Sequence, residues 1–161
     1  MAIVGFPNPV DEVSARIVAG FVVVLSFATL VAQWKWGAAL IAAGFLLRVI
    51  SGPKLSPLGQ LVTKVVRPRL AIEPRECPGP PKRFAQAIGF VFSGTAAILW
   101  IGFGLSTAAT VVMAGLIFAA SLEAFVGLCL GCKAFGLLMA LGVIPEPVCE
   151  RCASVGASRA A

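Results

Sequence analysis

The stretch 84–103, FAQAIGFVFSGTAAILWIGF, decides the class of this protein. It carries no charge, and about 20 apolar residues are what a helix needs to cross the hydrocarbon core of a bilayer. The rest of the chain agrees. Of 161 residues, 59% are hydrophobic and only 12% are charged, against about a quarter charged in a soluble domain. The mean hydropathy is +0.98. The solvent for most of this surface is therefore lipid.

Three more apolar runs surround the first. Downstream, Gly104-Leu105-Ser106-Thr107 makes an uncharged turn into a span from Ala108 to Cys129 (108–129). Upstream lie 17–33 (IVAGFVVVLSFATLVAQ) and the shorter 37–50, separated by Trp34-Lys35-Trp36. Two indoles bracketing a lysine suit a turn at headgroup level. The second run is short, so Arg48 is expected to snorkel from its end into the headgroups. Asp11 and Glu12 precede the first run and no small-x-small cleavage site follows it, so it reads as a retained span rather than a signal peptide. The expectation is an all-α integral membrane protein, a single membrane domain over 1–161 with four transmembrane helices arranged as two hairpins.

Charge sets the orientation. Eight of the 13 cations (Arg48, Lys54, Lys64, Arg67, Arg69, Arg75, Lys82, Arg83) fall in one window, whereas the loops at the other end hold only Lys35. Basic loops stay in the cytoplasm. Residues 51–83 and the tail 145–161 are placed there, with both termini cytoplasmic and the plasma membrane as the location. Only Phe84 accompanies these cations, and no nucleic-acid motif does, so the partner of the basic patch is anionic lipid. Within the loop, Leu58, Leu61, Val62 and Val65 follow helical spacing over 56–67, which predicts an interfacial helix. The proline-rich 73–81 is expected to be a non-helical connector. Gly127 and Gly131 form a small-x3-small pair expected within the fourth helix. A short apolar segment, 135–144, precedes the tail.

Chemistry centres on sulfur. Histidine and tyrosine are absent, which excludes imidazole acid–base pairs and histidine-ligated metals. Cys129-Leu-Gly-Cys132 closes the fourth run and Cys149-Glu-Arg-Cys152 lies in the tail. Cysteines at i, i+3 on a helix sit within disulfide reach. Lys133 adjoins one pair and Arg151 lies inside the other, and a cation favours the reactive thiolate. Three readings follow: catalytic thiol–disulfide exchange by Cys129, Cys132, Cys149 and Cys152; a four-cysteine zinc site on the same residues within a non-enzymatic scaffold; or cysteines acting as small hydrophobes. The leading expectation is a thiol-handling protein. Cys77 is a lone loop cysteine. Glu123 is the sole acid within a predicted span, and must be neutral, paired or facing a polar cavity. On a continuous helix it stands roughly 9 Å along the axis and about 120° around from Cys129, too far for direct proton transfer, which leaves a structural hydrogen bond to a neighbouring helix or a proton relay as its role. Transport of a small sulfur species by an oligomer, with Glu123 lining the path, is a further alternative.

The run Pro80-Pro-Lys-Arg-Phe-Ala-Gln86, the Cys129-Leu-Gly-Cys132 element and the tail Ile144-Pro-Glu-Pro-Val-Cys-Glu-Arg-Cys152 together resemble an uncharacterised bacterial family of small integral membrane proteins, catalogued as domain of unknown function 4395. The resemblance covers about residues 8–153. The second CxxC looks like a trait of actinobacterial-type members. The resemblance implies the membrane fold, and suggests thioredoxin-like or sulfurtransferase proteins as partners. It implies no activity.

Overall fold

The computed structural model describes residues 10–70, 76–77 and 79–143. These form an all-α protein with one small strand pair. Helix α1 (Glu12–Val31) begins five residues before the predicted run because Asp11 caps it. The Asp11 carboxylate accepts from Val13 N, from Ser14 N and, at 2.6 Å, from Ser14 Oγ, which satisfies donors that a helix start leaves open. A turn at 32–34 leads into α2 (Lys35–Ser51). The turn needs Gln33 at φ 52°, a conformation uncommon outside glycine. Gly52–Lys54 forms a 3₁₀ turn, followed by α3 (Pro57–Leu61), a π-helical turn over Val62–Val66 and α4 (Arg67–Arg69).

This segment differs from the regular amphipathic helix expected over 56–67. Val62 is fully buried and Leu58 packs against the core, while Leu61 and Val65 are exposed. The π turn inserts an extra residue per turn and splits the four apolar positions between two directions. Strands β1 (Val10–Asp11) and β2 (Glu76–Cys77) pair antiparallel, Val10 opposite Cys77. The proline-rich connector also ends sooner than expected. Helix α5 (Gly79–Ala97) already contains Pro80 and Pro81, which the first helical turn tolerates because its N–H groups have no helical partner. A π turn at Ile98–Gly102 ends it, and α6 (Ser106–Ser121) follows a turn with Gly104 at φ +67°.

Among the described residues three helical stretches, Glu12–Val31, Gly79–Gly102 and Ser106–Val126, are long and apolar enough to cross a membrane, which marks the chain as a membrane protein. Helix α2 has 17 residues. In space α1 packs on α2, α2 on α5, α5 on α6, and α6 back on α1. The ring encloses Val22, Ile41, Phe45, Trp100, Met113 and Leu116, with Ala38, Ala96 and Ala109 where backbones approach. Val24, Phe27, Leu40, Val91, Val111 and Phe118 point outward and are exposed. Small and hydroxylated residues such as Ser26 and Ser93 lie inside. Lipid gives no hydrophobic drive for helix association, so close packing of small residues carries it. Gly89 shows the effect: a Cβ there would overlap the Phe45 ring.

Candidate functional site

The predicted fourth run does not continue to Cys129. After α6 a π turn, Leu122–Val126, ends at Gly127, whose φ of +75° is left-handed. Glycine adopts this conformation without a side-chain clash, and it terminates helices. Two residues later Cys129 caps a new helix, α7 (Leu130–Ala140). The supposed Gly127–Gly131 packing pair is therefore no pair, since its members sit on opposite sides of a helix break. Gly131 keeps a packing role of its own. A Cβ there would lie 2.6 Å from Ala85 Cα, so the first turn of α7 rests on the α5 backbone. Phe84 and Phe135 add a ring contact at 5.6 Å between centroids.

The break places the dithiol at a helix start. Cys129 Sγ accepts from Cys132 N at 3.3 Å and from the Cys132 thiol at 2.7 Å. Both cysteines are free thiols, Cys129 buried and Cys132 half-buried. The hydrogen bond from Cys132 holds the Cys129 thiol below its ordinary range, with Lys82 and the Cys132 N–H assisting against burial and the Glu123 charge. Giving its hydrogen to Cys129, together with burial, pushes the Cys132 thiol up. The hydrogen bond between them thus favours ionisation at Cys129 over Cys132. Helix N-termini and neighbouring cations favour the thiolate form.

Around the dithiol lies a buried ionic cluster. Lys82, from the first turn of α5, bonds Glu123 at 2.5 Å, with side chains only 8% and 14% exposed. Glu123 is therefore paired. The helical offset separating it from Cys129 does not apply, because the chain turns at Gly127; the charges of both Glu123 and Lys82 act on both sulfurs. Arg48 does not snorkel. It is 6% exposed, lies over the Phe45 ring at 4.4 Å, and donates through Nε to Gly44 O. Its Nη1 has no hydrogen-bond partner among the described residues. Arg16 of α1 donates to Ala124 O and Phe125 O, carbonyls that the end of the π turn leaves open.

Lys133 is exposed, and Lys82 is the cation that acts on the thiols. Sequence reasoning missed Lys82, Arg16 and the burial of Arg48. One signal pointed to a partner: a lone acid inside a span needs a cation at its own depth. Cys149, Cys152 and Arg151 lie outside the described residues, as does the side chain of Cys77. Among the described residues no three Cys, Asp or Glu side chains group to hold a metal ion.

A family model, Domain of unknown function (DUF4395), matches residues 10–140. The chain belongs to this family. The match takes in the ring of four helices, the Lys82–Glu123 pair and the Cys129–Cys132 dithiol, and stops short of Cys149 and Cys152. No curated protein and no solved structure matches the chain.

Proposed function

We propose that this DUF4395 protein is a membrane thiol–disulfide exchanger whose working pair is Cys129 and Cys132. The observation that carries the reading is the Cys129 sulfur at the start of α7, receiving two hydrogen bonds from Cys132 beside a buried lysine. In the reaction the Cys129 thiolate attacks one sulfur of an incoming disulfide and expels a thiolate. Cys132 gives up its proton and attacks Cys129, forming the 129–132 disulfide and expelling the second thiolate. The protein is oxidised by two electrons and the substrate is reduced; the reverse runs through the same mixed disulfide. A transient disulfide suits a reducing compartment. A thioredoxin-like or sulfurtransferase protein is the proposed partner, and Cys149 and Cys152 the proposed second dithiol.

The proposed setting has four crossings as two hairpins, with α2 as the short one. Its 17 residues extend about 25 Å, a length that local thinning of the bilayer accommodates. Arg16, Arg48, Lys82, Arg83 and the cations of 54–69 gather at one end of the ring and Lys35 at the other, which supports cytoplasmic termini in a plasma membrane. Exposed Leu55, Leu61 and Val65 support contact of this segment with the acyl boundary.

The test is trapping by single substitutions. Cys132→Ser is expected to accumulate a mixed disulfide on Cys129, and Cys129→Ser to form none. Equal trapping in Cys129→Ser would refute the assignment. One equivalent of metal protecting four thiols would replace the exchange reading with a metal-clipped scaffold.

A further inference from the structure

The exchange reading leaves one group unused: a carboxylate–lysine pair buried where stability gives little reason to keep it. Replacing a buried ion pair by apolar side chains is often neutral or stabilising, and an ionisable group at membrane depth is costly. The charges of Glu123 and Lys82 nevertheless act on both sulfurs of the dithiol. Gly131, between the two cysteines, rests on Ala85, one helical turn from Lys82, so the start of α7 lies over the same turn of α5 that supplies the lysine. The other groups facing Glu123 are accounted for. Arg48 comes from α2 and acts on Glu123 through its charge, and Arg16 from α1 is committed to the carbonyls of Ala124 and Phe125. From the start of α7 come Cys129 and Cys132, and among the described residues Lys82 is the cation bonded to the carboxylate.

This arrangement meets a specific need of the reaction. The proton of Cys132 is bound toward Cys129 Sγ. Once Cys129 is in a mixed disulfide, its sulfur carries no negative charge and is a poor acceptor, yet Cys132 must lose that proton to attack. We propose that Glu123 accepts the Cys132 proton in this resolving step, with the Lys82 ammonium bridging carboxylate and thiol; the proposal rests on the exchange reading above. The proton moves from Cys132 Sγ to Lys82 as Lys82 passes one of its own to Glu123. The Cys132 thiolate then bonds to Cys129 Sγ, the mixed-disulfide bond breaks, and the expelled thiolate leaves with the bonding electron pair. Glu123 afterwards releases the proton to solvent or to that thiolate. Glu123 is thereby a proton acceptor in the resolving step alone.

The experiment uses the full chain in nanodiscs with Cys77, Cys149 and Cys152 changed to serine, and a thionitrobenzoate disulfide as probe, which yields one coloured thiolate per step. Glu123→Gln removes a charge that opposes the Cys129 thiolate, so it is expected not to slow the first release, and to slow the second about 100-fold at neutral pH, the usual share of a positioned base. The second release should then climb with pH as hydroxide takes over. Glu123→Asp, which keeps the charge but withdraws the carboxylate by one methylene, should also slow only the second release, and stands in if Glu123→Gln does not fold. Unchanged releases with an unchanged pH profile, or equal slowing of both, overturn the proposal while exchange itself survives. No release from the parent protein overturns both readings.

Discussion

Replacing Gly131 by alanine asks whether the dithiol owes its chemistry to the seat of α7. A Cβ at this position would lie 2.6 Å from both Cα and Cβ of Ala85. Non-bonded carbons settle near 3.5–4.0 Å, so roughly 1 Å has to be made up. Ala85 Cα is backbone and cannot swing aside, and α5 is itself held by α2 at the contact of Gly89 with Phe45. Helix α7 therefore moves, at the cost of about 1–3 kcal/mol that overpacking brings, and carries Cys129 and Cys132 away from Lys82. Gly136 supplies the control. It lies on the same helix with nothing within 4 Å of the equivalent position, so Gly136→Ala only removes a poor helix former and gains about 0.5–1 kcal/mol. Denaturant unfolding in detergent should separate the two variants by about 1.5–4 kcal/mol. Burial and the Glu123 charge push the Cys129 thiol up more strongly than Lys82 holds it down, so with the Cys132 hydrogen bond carried along, the alkylation profile of Cys129 in Gly131→Ala should move to lower pH, and that of Gly136→Ala should stay. Equal stabilities together with superimposable alkylation profiles would refute the reasoning.

Three further outcomes are expected. Cys132→Ala removes the donor that holds the Cys129 thiol down, so alkylation of Cys129 at neutral pH should slow and recover at higher pH; a faster reaction would contradict the geometry. Lys82→Met or Glu123→Leu alone leaves an uncompensated buried charge and should cost about 3–5 kcal/mol, while the double variant regains most of it; additive losses in unfolding measurements would show that the pair does not interact. Asp11→Ala loses the cap of α1 and should cost about 1 kcal/mol. Burial would raise the Asp11 carboxyl, but hydrogen bonds from Ser14 and Arg67 outweigh it and hold it below the usual range. A depressed carboxylate stabilises at neutral pH and loses that contribution on acidification below about 4, so the gap between parent and variant should close there; a gap constant down to pH 3 would rule this origin out.

The run 84–103 and its apolar neighbours carry the helical class of the protein in their composition, because hydrocarbon length is a property of the chain alone. The limits of those helices were less legible. Asp11 starts α1 through bonds to Val13 and Ser14, a capping pattern present in the sequence. The stop at Gly127 is harder to see. It falls inside Leu122-Glu-Ala-Phe-Val-Gly-Leu-Cys-Leu-Gly-Cys132, which has no proline and only one charge, and a glycine in an apolar helical pattern signals packing as readily as termination. Missing that stop displaced the dithiol from the beginning of one helix to the end of another. The site charges were misread for a different reason. Whether Arg48 reaches outward or lies over Phe45 depends on which helix covers it. Nor does local pattern say that Glu123 meets Lys82, 41 residues away. The cysteine motif itself was visible, but its electrostatic setting is assembled from separate helices.

That separation bears on how the protein is made. Arg16, Arg48, Lys82 and Glu123 come one from each stretch of the four-helix ring, and the dithiol follows all of them in the chain. Synthesis delivers the surroundings first and the sulfur last. Lys82 and Glu123 bring their charges to the Cys129–Cys132 pair only when α7 docks on α5 at Gly131, so the thiols meet their charged neighbours last.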